Sequence, residues 1–252
     1  MKKKKDILFL CQFFHPEYIS SAQLPYETLQ ALKESGYKVG CLCGYPHEYT
    51  KDTSIPVQED LDGIWVRRLK YIQLDRSGFL GRLVNYFSFT LMVFLNLWRV
   101  AEYETVVVYS NPPILPWIAS WAKVLFGTKL VFVSYDLYPE VATVTNTLRE
   151  GSIICRLMEH INKCVFRRAD QVVALSSEMK EYIAKHRDIS EDRITVIPNW
   201  YSDKPREKQN REENRFYETV GNRFVVSYFG NMGTMQDMET ILGAIRILQK
   251  DP

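Results

Sequence analysis

A chain of 252 residues, 46% of them hydrophobic, has enough apolar side chain for one large folded domain or one and a half ordinary ones, which excludes a disordered or low-complexity polypeptide. Its 32 basic and 30 acidic residues leave a net charge of +2, so nucleic acid is not expected as a partner. The five cysteines, Cys11, Cys41, Cys43, Cys155 and Cys164, are odd in number and include no C-x-x-C pair, so they read as reduced, buried thiols of a cytoplasmic protein.

In chain order, "MKKKKDILFLCQFF" holds an apolar run too short for a secretory leader, without a small-residue cleavage site, and is taken as a first strand over 6–12. Strands and helices then alternate: helix 22–35, strands 38–43 and 63–69, helix 80–99, strand 105–110, helix 113–126, strand 129–134, helix 151–168, strand 171–175, helix 177–187 and strand 193–197. Continuous apolar runs such as "TVVVYS" and "KLVFVS" suit strands covered on both faces. The expected fold class is therefore α/β, a Rossmann-like, mostly parallel sheet. From Asn199 to Arg223 the chain turns highly charged and nearly free of aliphatic residues, as a linker does. Beyond it, "FVVSYFGNMGTMQDMETILGAIRIL" predicts a buried strand over 224–229, a glycine turn, and an amphipathic helix with Met238, Ile241, Leu242, Ile245 and Leu248 on one face. The expected division is 1–198, a linker 199–223, and the first strand and helix of a second Rossmann-like domain over 224–252.

Four segments are candidates for chemistry. The loop after the first strand, "QFFHPEYISS", ends where a helix N-terminus offers free amides to an anion; Ser20 and Ser21 suit such a site, and Ser21 equally suits a simple helix cap. No G-x-G-x-x-G is present, which argues against a nicotinamide enzyme. In "VSYDLYPE", Asp136 and Glu140 flank a Leu-Tyr-Pro segment just past a buried strand. They are either two carboxylates held at a cleft for hydroxyl binding or acid–base work, or a turn aspartate and a surface glutamate. On helix 80–99, Arg82, Asn85, Ser88, Asn96 and Arg99 share a sector of roughly 120° and nearly everything else is apolar. That pattern fits an interfacial helix with Arg76, Arg82 and Arg99 near lipid phosphates, or a core helix touching two neighbours. The turn "YFGNMG" lets backbone amides approach a phosphate. Histidines and cysteines show no metal-ligand spacing, so no structural zinc is expected.

Together, "QFFHPE", "SYDLYPE", "RRADQVVALSSEMKEYI", "ITVIPNW" and "FGNMGTMQDMETIL", in this order, resemble successive landmarks of family 4 glycosyltransferases, in particular the branch that builds bacterial capsule, O-antigen and exopolysaccharide. The resemblance implies a GT-B architecture, retaining transfer from a nucleotide sugar to a lipid-linked acceptor, no cofactor or metal, and a peripheral place on the inner face of the cell membrane. Carried over residue by residue, it assigns Asp136 and Glu140 to catalysis, and His15, Glu17, Ser20, Ser21, Tyr135 and Asn199 to substrate binding. Gly230, Asn231 and Gly233 fall to the donor phosphates, and Arg82, Phe94, Trp98 and Arg99 to the membrane interface. Two departures stand out: Tyr135 occupies the place of a frequent histidine, and "TMQDM" replaces the basic residues common after the glycine turn.

The resemblance also implies a donor-side domain of which this sequence carries only the opening, without the paired glutamates that hold the donor ribose and sugar. The chain by itself is therefore expected not to be competent for transfer. The alternatives are a non-catalytic acceptor-binding or membrane-docking subunit of a split enzyme, completed by a separately encoded C-terminal half, and an inactive gene fragment.

Overall fold

The structure, a computed structural model, describes residues 4–46, 49–50, 54–75, 78–201, 210–221, 223–230, 232 and 236–249. Chain contacts divide it into two units, Met1–Trp200 and Tyr201–Pro252.

In the first unit the alternation of apolar runs and amphipathic segments becomes β1 (Lys5–Cys11), α1 (Ser20–Glu34), β2 (Val39–Gly44), β3 (Gln58–Leu61), β4 (Ile64–Leu69) and α2 (Phe79–Leu95), the last continued by a 3-10 segment, Leu97–Glu102. Then follow β5 (Tyr103–Tyr109), α3 (Leu115–Phe126), β6 (Lys129–Ser134), α4 (Glu140–Val144), α5 (Ile153–Arg168), β7 (Gln171–Ala174), α6 (Ser177–His186) and β8 (Ile194–Val196). The eight strands form one sheet in the order β3-β4-β2-β1-β5-β6-β7-β8, parallel throughout except for β3 at the edge. The chain winds outward from β1 in one direction and, from β5 on, in the other, so the order reverses between β1 and β5.

Period-two alternation sends each strand's side chains into two cores. Phe9, Cys11, Cys41, Cys43, Val66 and Val107 pack with Leu29 under α1. Leu8, Leu10, Leu42, Val106, Val108 and Phe132 pack with Phe89, Val93 and Phe166 from α2 and α5 on the opposite face. All five cysteines are free thiols, and only Cys164 is not buried.

Sequence periodicity missed β3, because "QEDL" is polar and alternates between half-buried and exposed positions on the sheet edge. Its signal is the turn rather than the strand: Asp62 and Gly63 both take positive φ, 50° and 85°, the two-residue connection that an Asp-Gly pair favours. Asp60 Oδ1 accepts the Gly63 amide at 2.6 Å and closes it.

In the second unit, a single turn, α7 (Tyr217–Val220), precedes α8 (Met238–Leu248). The strand expected over 224–229 does not form, and Phe224 and Phe229 are 93% and 92% exposed. A strand needs a hydrogen-bonding neighbour, and the described residues of this unit include no other strand. Helix α8 satisfies its own backbone and needs none. Among the described residues no helix is long and apolar enough to cross a membrane.

Candidate functional site

The carboxyl ends of seven parallel strands gather on one edge, and open sheets of this kind bind ligands where the strand order reverses. Leu10 pairs with Val108 and Tyr109 with Val133. Carried past the strand ends, that register sets Gln12 beside Ser110, and Asn111 beside Tyr135. Gly44, at the end of β2, lets the β1 exit close in: its amide donates to the Gln12 carbonyl at 3.0 Å, and a Cβ there would lie 2.6 Å from that same oxygen.

Ser110 organises the centre. Its buried hydroxyl oxygen accepts the amides of Tyr135 and Asp136, both at 3.1 Å, and so pins the exit of β6 to that of β5. The Tyr135 ring then packs into the α1-side core, tilted at 54° to the Tyr109 ring with centroids 5.2 Å apart, and burial raises its pKa. The Asp136 carboxylate has no hydrogen bond or ion pair among the described residues, and burial raises its pKa as well. The pKa of Tyr138 is pushed up by burial and by the charge of Asp136.

Glu140 is built differently. Its Oε1 accepts from the Tyr182 hydroxyl at 2.8 Å and from a short contact with Arg187 Nη2, and that same nitrogen donates to the Tyr138 carbonyl at 3.3 Å. Burial alone would raise the Glu140 pKa, but the hydrogen bonds from Arg187, its own backbone and Tyr182 hold it below the usual carboxylate range. The two carboxylates, four residues apart, thus differ: Asp136 is partly buried and without a partner, while Glu140 is held ionised in a pair with the buried Arg187.

Around the β1 exit, Glu17 is buried and accepts the Phe14 amide at 3.3 Å, bracing its own loop. The His15 ring stacks on Tyr26 with centroids 4.6 Å apart, and its carbonyl accepts from Arg68 Nη2 at 3.0 Å. Arg68 is itself fully buried and paired with Glu59 at 2.5 Å. The cap of α1 is Ile19, which offers no side-chain bond, so neither Ser20 nor Ser21 serves as the cap; their hydroxyls make no hydrogen bond among the described residues. Asn199 is exposed in the segment that leaves β8, one residue before Trp200, whose indole donates to Glu27 of α1 at 2.8 Å.

The structure therefore places His15, Glu17, Ser20 and Ser21 in the segment that follows β1, and Tyr135, Asp136 and Glu140 in the segment that follows β6, with Glu140 turned to Tyr182 and Arg187 of the α6 region. Gly230 is exposed in the second unit, and Asn231 and Gly233 lie outside the described residues, as does Arg76. Sequence reasoning missed Gln12, Ser110, Asn111 and Arg187. The polar "SNPP" directly after the apolar β5 was a signal for two of them; Arg187, in the charged run "KHRD", gives none. Gln12 Oε1 and Asn111 Oδ1 are buried without partners, and with Asp136 they form a row of acceptors at the ends of β1, β5 and β6. Acceptors without donors suit a hydroxyl-rich ligand.

Helix α2 is apolar on two sides: Phe89 and Val93 are buried in the core, and a second stripe faces outward. Asn85 accepts the Leu74 amide and donates to the Leu74 carbonyl, both at 2.8 Å, while the Ser88 hydroxyl donates to the Ile72 carbonyl at 3.3 Å. The polar residues are spent on the protein. Phe87, Leu91, Phe94, Leu95 and Trp98 are each more than half exposed. Arg82 is exposed, and Arg99 lies over the Trp98 ring at 4.4 Å.

A parallel sheet that reverses between β1 and β5, with polar residues gathered at that reversal, defines a Rossmann-like α/β domain. Residues 23–200 match the model of the glycosyl transferase 4-like domain, and the chain belongs to that family. A probable glycosyltransferase of Pseudomonas aeruginosa, WbjE, is 28% identical over 156 residues, 61% of this chain and 38% of WbjE. HepE of Anabaena, solved in complex with UDP and glucose, superposes with a TM-score of 0.59 at 18% identity, over 98% of this chain and 58% of HepE. The catalytic domain of starch synthase IV from Arabidopsis thaliana, bound to ADP and acarbose, superposes with a TM-score of 0.50 at 9% identity, over 78% of this chain and 52% of that one. At such identities the solved structures bear on the fold. The chain spans 38% of WbjE and 58% of HepE.

Proposed function

We propose that the chain forms the acceptor-side wall of a retaining glycosyltransferase that moves a sugar from a nucleotide sugar to a lipid-linked saccharide at the inner face of the cell membrane. The observation that carries this is the row of unpaired acceptors, Gln12, Asn111 and Asp136, at the switch point of a sheet whose family transfers sugars. In the transfer, the anomeric carbon exchanges its bond to a nucleotide phosphate oxygen for one to an acceptor hydroxyl, whose proton must leave. Asp136, its pKa raised by burial, accepts a sugar hydroxyl and orients it. Glu140 acts through its pair with Arg187, as a positioning residue for Tyr138 and the loop around it. The amides near Gly230, Asn231 and Gly233 receive the donor phosphates, and no metal is asked for. UDP-glucose, with which HepE was solved in complex, is the first donor to try. The outward apolar stripe of α2 supports a membrane-side position, with Arg82, Phe94, Trp98 and Arg99 at the interface.

The test pairs transfer with binding. The protein is incubated with labelled nucleotide sugars and lipid-linked saccharides from bacterial membranes, and saccharide binding is followed separately by saturation-transfer NMR. Saccharide binding that is lost in Asp136→Asn, at an unchanged melting temperature, is the expected result. No bound saccharide and no labelled product from any donor would sink the proposal.

A further inference from the structure

The loop that leaves β1 ends in a displayed aromatic side chain. Tyr18 is 60% exposed, more than any other described aromatic residue of Met1–Trp200. Its place is nonetheless fixed. The Tyr18 amide donates to the Tyr49 carbonyl at 2.9 Å, and the Tyr49 ring stands at 87° to the Tyr18 ring with centroids 6.2 Å apart. Tyr49 in turn meets the buried Phe13 ring at 5.8 Å and 77°. Between Phe13 and Tyr18 the loop is closed by the Glu17 amide, which donates to the Phe14 carbonyl at 3.1 Å, and by the buried Glu17 carboxylate, which accepts the Phe14 amide at 3.3 Å. A large ring held in water on a braced loop has little conformational freedom left to lose when something covers it.

The same loop begins at Gln12, which is 2% exposed and whose Oε1 has no partner. One short segment thus carries an orphaned buried acceptor at one end and an open aromatic face at the other. The unpaired hydroxyls of Ser20 and Ser21 follow directly. A pyranose is the complement of such a segment, since its C–H face is apolar and its rim is hydroxyl groups. Asp136 leaves β6, two strands from β1, or about 10 Å at the interstrand spacing. That is wider than one pyranose ring, and Tyr18 is tied to the segment that leaves β2, one strand further still. We propose that Tyr18 is the stacking platform of a second sugar subsite, so that the acceptor is a saccharide of at least two rings, one at Asp136 and another lying on the Tyr18 ring. This rests on the saccharide reading of Asp136 given above and sets the size of what that site takes.

Saccharides released by mild acid from bacterial lipid-linked precursors are sorted by size into single sugars, pairs and longer chains, and their affinities for the 252-residue protein are measured by saturation-transfer NMR. Pairs should bind about fivefold more tightly than single sugars, and their second ring should take up saturation from aromatic protons. Tyr18→Phe should keep that gain and Tyr18→Leu should remove it, both within about 2 °C of the parent melting temperature because the side chain is exposed. Equal affinity for single sugars and pairs, measured on the unmodified protein, overturns the proposal and leaves single-sugar binding at Asp136 standing. A gain that survives in Tyr18→Leu, or is lost equally in Tyr18→Phe, overturns it too, since stacking is then not its source. Binding of no saccharide of any length removes this subsite and the saccharide reading of Asp136 together.

Discussion

Asp136 and Glu140 pull stability in opposite directions with pH. A folded pKa raised above the ordinary carboxylate value, as for Asp136, means that folding favours the protonated form. The stability this gives is complete below about pH 3.9 and is lost as the pH rises through the folded pKa. At neutral pH the ionised side chain is a burden, so Asp136→Asn is expected to hold or raise the melting temperature at pH 7 while saccharide binding is lost. A variant that melts markedly lower would make Asp136 a structural residue. Glu140 is the reverse: its depressed pKa gives stability above about pH 4.3 that disappears as the pH falls through the folded value. Arg187→Met leaves that carboxylate without its cation. It should cost about 3 kcal/mol in urea titrations at pH 7 and flatten the acid limb of the stability profile; an unchanged limb would show that the pair is not what depresses Glu140.

At the scale of elements, α2 shows which features a sequence carries and which need the fold. Its polar sector was legible from spacing, and so was the width of its apolar face. Which side meets the protein was not, since that depends on the 72–74 loop offering backbone groups to Asn85 and Ser88. Long apolar strands and their helices were likewise legible, because continuous burial leaves a continuous apolar run. The polar edge strand β3 was not, nor were Gln12 and Arg187, whose roles arise only where distant segments meet. Asn85→Ala should leave the Leu74 amide and carbonyl unpaired, costing about 2 kcal/mol and lowering the melting temperature by about 4–8 °C. Phe94→Ser with Trp98→Ser should behave oppositely, since both side chains are exposed: a melting temperature within about 2 °C of the parent, and lost co-sedimentation with anionic liposomes. A collapse of the double variant would return this side of α2 to the core.

Across the whole molecule, burial is concentrated in one unit. Met1–Trp200 holds both cores and the full sheet, and its last residue is tied to α1 through the Trp200–Glu27 hydrogen bond. In Tyr201–Pro252 none of the described residues is buried. The concavity of about 860 Å³ within that unit, between Phe216, Tyr217, Val220, Phe224 and Tyr228, is walled by exposed or half-exposed side chains rather than by a packed interior. Among its described residues, a single helical turn, one longer helix and an extended segment outside any sheet cannot offset the conformational entropy of ordering themselves, so this unit should contribute no cooperative transition of its own. A fragment ending at Trp200 is therefore expected to melt within about 2 °C of the 252-residue chain, since none of the described residues it removes is buried. Limited proteolysis of the 252-residue chain should cut first within residues 210–249 and leave a resistant core, because local opening among those exposed residues is nearly free. If the fragment instead melts more than about 5 °C lower, or the protease spares residues 210–249, then the apolar side chains of α8 are buried in solution, and the second unit is a working part of the fold.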